Sequence, residues 1–207
     1  MKNSGCIEIV FDFDGVLADT VDLLFSLHKE IFRISSFGEF QSIFRGNALE
    51  NGKRTFGADA LHLFSQRLCD VMADICLSDA GCRYVALFNR HAIPMHIITS
   101  NMYAVVARCL QNTGMNESIF HTILGKEAHH SKVEKLMQIS QKRKLPTRQI
   151  IFVTDSLGDL QEGHMAGVTC VGVTWGIHDR EILSVGKPHS IVHSWDELYN
   201  FIIERLD

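Results

Sequence analysis

The stretch IVFDFDGVLADT, residues 9–20, runs from apolar residues into two aspartates one position apart, Asp12 and Asp14, followed by Gly15. A short, uninterrupted apolar run bounded by turn residues suits a strand buried on both faces, as in a parallel sheet. Two carboxylates at its end repel each other unless a cation shares the place or the two do different work.

Five further apolar runs read as strands: Met95 to Thr99, Thr122 to Leu124, Ile150 to Thr154, Cys170 to Thr174 and Ser190 to Val192, with helical segments between most of them. This alternation predicts an α/β fold, a Rossmann-like parallel sheet. More than eighty residues separate the first two strands, too many for one crossover, so an inserted unit is expected. Thr20 is placed to cap a helix from Val21 to about Arg33. Leu61, Phe64, Leu68, Val71 and Ile75 recur at helical spacing and predict an amphipathic helix over 58–77. Between them, SSFGEFQSIFRGNALENGKRTFG is rich in Gly and Asn and reads as a long loop. The chain thus divides into a core, 1–17 with 86–207, and a small helical domain with a long loop, 18–85.

Composition bounds the function. With 207 residues, 46% hydrophobic and 21% charged, the chain can bury a full core. A net charge of −4, with no basic run longer than QKRK at 141–144, argues against nucleic acid. The absence of an export signal and of a long apolar span makes cytoplasm the expected location, with no membrane partner. Six cysteines, at 6, 69, 76, 82, 109 and 170, lack zinc spacing and read as reduced thiols.

Three strands end in polar clusters. The first ends at Asp12 and Asp14, the second at Thr99, Ser100 and Asn101, and the fourth at Thr154 and Asp155, with Asp159 four residues on. Open parallel sheets bind ligands beyond these carboxyl ends, so the clusters share one crevice. Gathered carboxylates call for a cation, and an oxygen-only donor set favours Mg2+. Each cluster also has a local reading, as a turn or helix cap, and capping is compatible with anion binding at a helix N-terminus.

FDFDGVLADT, HIITSN and IIFVTDSLGDLQEGHMAG together resemble the first, second and fourth motifs of the haloacid dehalogenase-like hydrolase superfamily. The ending KPHSIVHSWDELYNFI and the position of the insert are similar to the phosphoglycolate phosphatase-like subgroup with its helical cap. The resemblance implies a Mg2+-dependent phosphatase acting on a small phosphate monoester, of phosphoglycolate or sugar-phosphate type. By the same resemblance Asp12 is the nucleophile that forms an aspartyl phosphate, and Asp14 is the general acid and base. Gly15 lets the loop close on the phosphoryl group, Thr99 donates to it, and Ser100 and Asn101 help bind it. The metal ligands implied are Asp12, the carbonyl of Asp14, Asp155 and, through water, Asp159. Lys132 fills the role of the third-motif lysine, with Lys126 as its rival.

The chain departs from the family pattern at two places. Thr154 replaces the Gly or acidic residue often found before the fourth-motif aspartate, and the K-P-x-P form of the third motif is missing. A dehalogenase is disfavoured because Asp14 is present. A phosphomutase and a catalytically silent binding or regulatory member remain as alternatives, and the assembly is expected to be a monomer or homodimer. His129 with His130, His164, and Trp175 with Gly176 read as surface or packing residues. Arg45, Lys53 and Arg54 are candidates for gripping a substrate anion.

Overall fold

The computed structural model describes residues 7–206, so Cys6 and the segment 1–6, which entered the export-signal reading, lie outside the described residues. β1 (Glu8–Asp12) is followed by five helices, α1 (Val21–Phe32), α2 (Phe37–Ile43), α3 (Ala48–Phe56), α4 (Ala58–Val71) and α5 (Asp79–Arg90). Strands and helices then alternate: β2 (Met95–Ile98), α6 (Tyr103–Thr113), β3 (Thr122–Leu124), α7 (Lys132–Arg143), β4 (Ile150–Thr154), α8 (Leu157–Ala166), β5 (Thr169–Val173), α9 (Arg180–Val185), β6 (Ser190–Val192) and α10 (Trp195–Ile203).

The six strands form one parallel sheet in the order β3-β2-β1-β4-β5-β6. Chain order runs outward in one direction from β1 and in the other from β4, so the connection reverses between these neighbours. Phe11 pairs with Val153 across that seam, which brings the loops after Asp12 and after Thr154 side by side.

The period of two along β1 sorts its side chains onto two cores. Ile9 and Phe11 join a cluster with Phe88, Met95 and Trp195. Val10 faces Ile98, Leu136, Phe152 and Leu160 on the other side. Burial on both faces explains why the strand reads as a continuous apolar run. Glu8, at its start, is 2% exposed yet bound by Arg143, whose Nη2 lies 2.8 Å from Oε1, and by His96 Nε2 at 2.8 Å from Oε2.

The insert departs from the expected long loop. Two helices, α2 and α3, occupy it, each started by a side-chain cap: Ser36 Oγ accepts from the Glu39 N–H at 3.2 Å and Asn47 Oδ1 from the Glu50 N–H at 3.0 Å. Ser36 also has Glu at the third position after it, as does Asn47, so the start signal outweighs the Gly and Asn content. The helix expected over 58–77 ends instead at Val71. The chain beyond it is tied to α6, where Asn112 Nδ2 donates to the carbonyls of Ala73 (2.8 Å) and Ile75 (3.0 Å).

Helix α5 packs on the sheet's own layer, with Tyr84 stacked on Trp195 of α10 at 5.7 Å. The five described cysteines are free thiols, and no described helix is long and apolar enough to cross a membrane.

Candidate active site

β1 delivers Asp12 to the sheet's carboxyl edge, 6% exposed, where Oδ1 accepts the Phe13 N–H at 2.8 Å. The chain then doubles back: Leu17 and Ala18 donate their N–H groups to the Phe13 carbonyl at 3.0 and 3.1 Å. Gly15 takes φ +69° in this turn, and a Cβ there would lie 2.0 Å from Asp155 Oδ2. Glycine is therefore required both by conformation and by the approach of the neighbouring carboxylate.

The turn points Asp14 away from Asp12. Its Oδ1 accepts the Thr20 hydroxyl at 3.0 Å, and its Oδ2 accepts Asn101 Nδ2 at 2.7 Å and the Thr99 hydroxyl at 3.4 Å. Thr20 precedes α1, but its side chain makes no capping bond there because its hydroxyl is committed to Asp14. Asn101 is likewise turned to Asp14, and α6 begins after Met102 without a side-chain cap. Thr99 sits beneath, fully buried, with its Oγ1 accepting the Asn101 N–H at 2.9 Å and its carbonyl accepting Lys135 Nζ at 2.5 Å.

Lys132 opens α7 and is 3% exposed. Its ammonium lies 2.7 Å from Asp12 Oδ1 and bonds to Asp159 Oδ2. Glu162 fixes the start of that helix, accepting from the Ser131 hydroxyl at 2.7 Å and the Lys132 N–H at 3.2 Å. Lys126 lines the same cavity but bonds to none of these carboxylates, its Nζ lying 3.4 Å from Ser65 Oγ. From β4, Asp155 accepts the Ile177 N–H at 2.7 Å on Oδ2, and Asp159 also accepts the Thr154 hydroxyl at 2.9 Å. Thr154, in the place of a possible acidic residue, thus becomes a donor to Asp159.

The electrostatics follow from this crowding. Burial pushes Asp12 up against the pull of Lys132, with the Asp159 and Asp155 charges adding to the rise. Burial and the Asp159 charge carry Asp155 to about 7, although the Ile177 amide opposes them. Asp14 is raised by burial despite the bonds from Thr20 and Asn101. Burial pushes Asp159 up, but the Lys132 charge together with hydrogen bonds from Asp12, Lys132 and Thr154 holds it low, and Lys132 itself is raised by Asp12 and Asp159 against its own burial. One ammonium among these buried carboxylates leaves negative charge uncompensated, and the free oxygens of Asp12 and Asp155 are hard donors. The arrangement fits a small divalent cation of the Mg2+ kind.

Asp12, Asp14, Gly15, Ser100, Asn101, Lys132, Asp155 and Asp159 all line one cavity of about 310 Å³, whose other wall is made by α1 to α4. The four-helix wall rests on the core through backbone: the Gly158 N–H donates to the Phe44 carbonyl at 2.9 Å, and Gln41 Nε2 to the Ile177 carbonyl at 2.7 Å. A Cβ on Gly158 would lie 2.1 Å from the Gly46 carbonyl oxygen. Of the three basic residues considered for an anion, only Lys53 lines the cavity, while Arg54 turns to Asn51 Oδ1 at 3.2 Å.

Of the residues set aside, Gly176 packs against the site, where a Cβ would lie 2.2 Å from Asp155 Oδ2, and the others fall outside the carboxylate cluster. His129 faces Glu134 at 3.6 Å, His130 reaches the cavity wall, and Trp175 stacks on Trp195 at 5.3 Å. His164 bonds to the Gly186 carbonyl at 2.9 Å, and the fold brings it, Cys170 and His189 within 4.8 Å of one another. There the Cys170 sulfur points to the Leu160 and Val168 carbonyls as a thiol, with burial pushing it to about 12. Thr20 is read from sequence only as a helix cap, not as a partner of Asp14, while Lys135 and Glu162 escape that reading. Lys135 stands three residues after Lys132 on the same face of α7, a spacing from which it could have been found.

A family model described as haloacid dehalogenase-like hydrolase matches residues 79–173. The chain is 23% identical over 211 residues to phosphoglycolate phosphatase from Synechococcus elongatus, covering 96% of this chain and 98% of that protein. Among solved structures, a haloacid dehalogenase-like family hydrolase from Streptococcus pneumoniae superposes with a TM-score of 0.76 at 18% identity, covering 96% of this chain and 99% of that one. CbbY from Rhodobacter sphaeroides, solved in complex with xylulose-1,5-bisphosphate, superposes with a TM-score of 0.75 at 20% identity, covering 93% and 96%.

Proposed function

From the premise that the chain belongs to the haloacid dehalogenase-like hydrolase superfamily, we propose that it hydrolyses a small phosphate monoester with Mg2+ through an aspartyl phosphate. The observation that carries this reading is the separation of the two β1 carboxylates. Asp12 is bound to the Lys132 ammonium, whereas Asp14 is held apart by Thr20 and Asn101. One carboxylate is ion-paired with an ammonium, and the other meets only neutral donors while burial raises it, so the two are set up for different work.

Asp12 attacks phosphorus as the bond to the ester oxygen breaks, and Asp14 gives its proton to the departing alkoxide. A water then loses a proton to Asp14 and attacks phosphorus, freeing Asp12 and releasing inorganic phosphate. Lys132 offsets the charge shared by Asp12 and the phosphoryl oxygens. The loop carrying Ser100 and Asn101 borders the position those oxygens take, with Thr99 buried beneath it and its hydroxyl turned to Asp14, and Gly15 keeps that position open. Mg2+ would be held by Asp12, the Asp14 carbonyl and Asp155, with Asp159 further out, and when bound it would lower the repulsion between nucleophile and phosphate. The cap within residues 18–85 excludes water.

Phosphate release from a panel of primary alkyl phosphates tests the reading, with Mg2+ or with chelator, for the wild type and Asp12→Asn. Release that needs both Mg2+ and Asp12 is the expected result. Folded protein that releases no phosphate from any ester would move the assignment to a phosphomutase or a silent binding member.

A further inference from the structure

The cap's side of the cavity has a chemistry of its own. Phe32, Phe44, Phe56, Phe64 and Leu61 line it, all half-buried and open to its interior. Phe32 stacks on Phe56 with ring centroids 4.0 Å apart and on Phe64 at 5.2 Å, so α1, α3 and α4 present one aromatic surface. No arginine lines the cavity among the described residues. Besides Lys132, which is committed to Asp12 and Asp159, its ammonium groups are the exposed Lys53 and Lys126, which bonds Ser65.

His28 is the polar exception within the aromatic surface. It is 6% exposed, lines the cavity, and lies against Phe64 at 4.6 Å and Phe40 at 4.9 Å between ring centroids. Its Nδ1 is 2.7 Å from the Leu24 carbonyl, an acceptor only, so Nδ1 carries the proton. Burial holds the ring neutral by pushing it down to about 4. Nε2 is therefore a lone pair with no hydrogen-bond partner among the described residues.

We propose that the ester taken by this site is the phosphate of an apolar, ring-bearing alcohol that offers one hydrogen-bond donor to His28 Nε2. The inference rests on the hydrolase reading for the position of the phosphoryl group, which belongs at Asp12 on the core side of this cavity. An aromatic body fills the remaining space with favourable ring contacts. Against the phenylalanine rings the carboxylate of phosphoglycolate, or the hydroxyls of a sugar, would lose water at about 1–3 kcal/mol for each polar group left unpaired, and polar partners are confined to other parts of the lining, at Lys53, Ser65, Lys126 and His130.

Calorimetric binding to Asp12→Asn protein in Mg2+ buffer tests the proposal without turnover. The probes are 2-(4-hydroxyphenyl)ethyl phosphate, 2-phenylethyl phosphate, phosphoglycolate and glucose 6-phosphate. The expected result is that the hydroxyphenyl ester binds at least about tenfold tighter than phosphoglycolate or the sugar phosphate. Adding His28→Phe should remove the advantage of the hydroxyphenyl over the phenyl ester, about tenfold, while leaving the phenyl ester's affinity in place. Because His28→Phe alters a packed site, its circular dichroism and unfolding midpoint are measured alongside. The comparison of four probes on the single variant stands without it. Equal affinities, or tighter binding of phosphoglycolate or glucose 6-phosphate, overturn the proposal. Preferential binding of the aromatic esters, with no phosphate released by the wild type, would instead overturn the hydrolase reading and leave this one in place.

Discussion

The Lys132 ammonium lies 2.7 Å from Asp12 Oδ1 and also bonds Asp159, so one cation holds together a carboxylate from the end of β1 and one from the first turn of α8. Replacing Lys132 by Met leaves those buried charges facing each other. Phosphate release by the variant should fall by roughly a hundredfold or more, in line with the loss of one preorganised charge partner. Its unfolding midpoint should also drop, since stripping one partner from a buried pair costs about 3–5 kcal/mol. Steady-state kinetics and thermal unfolding on the same preparation check both.

Thr20 lies eight residues beyond Asp12 and holds Asp14 through its hydroxyl at 3.0 Å. Thr20→Val keeps the shape and removes that bond, worth about 1–1.5 kcal/mol. Because the bond orients a proton donor and not the substrate, kcat should fall about tenfold with KM little changed. A rise in KM at constant kcat would show that Thr20 acts on binding instead.

Glu8 offers a pH prediction far from the site. Burial opposes its charge, but the bonds from His96 and Arg143 hold it down at about 2, from 4.5 for the free side chain. Its folded pKa is depressed, so its contribution is fully present above about pH 4.5 and is lost as the pH falls toward 2. The amount is on the order of 3 kcal/mol. Glu8→Gln should be less stable at neutral pH and flatter across that acid window when denaturant midpoints are measured at successive pH values.

Gly158→Ala places a methyl where the Gly46 carbonyl oxygen stands, at 2.1 Å. Backbone cannot yield as a flexible side chain would, so the Gly158 to Phe44 hydrogen bond at 2.9 Å must open. Loss of this bond should cost about 1 kcal/mol of stability and raise KM several-fold, as the cap wall moves off the carboxylates. Unfolding midpoints and a KM determination read the two effects separately.

Much of the core could be read from sequence because strands buried on both faces write themselves as apolar runs. Ile150 to Thr154 and Ser190 to Val192 match their observed limits, and the polar clusters after β1, β2 and β4 do converge. The insert was harder to read. Its helices α2 and α3 are short and punctuated by Gly38, Gly46 and Gly52, so composition suggested loop while the Ser36 and Asn47 caps, each three residues before a glutamate, carried the opposite message. Thr20 shows a different limit. A threonine before a helix is locally a cap, and only the folded turn from Phe13 to Ala18 brings its hydroxyl to Asp14. Lys135 bonds the Thr99 carbonyl across 36 positions of sequence, a partnership that no local pattern encodes. The aromatic wall escaped notice for the same reason, since Phe32, Phe56 and Phe64 meet only when three helices are assembled.

The seat of the cap on the core at Phe44 and Gly158 is written in main-chain atoms. Such an attachment is blind to side-chain identity on the cap's inner face. Phenylalanines there can be exchanged for other residues over evolutionary time while the hinge-side geometry is inherited unchanged. The two glycines, Gly46 and Gly158, act as a fixed coupling, and the wall behind them becomes an interchangeable part through which the same carboxylate chemistry can be offered to a different alcohol.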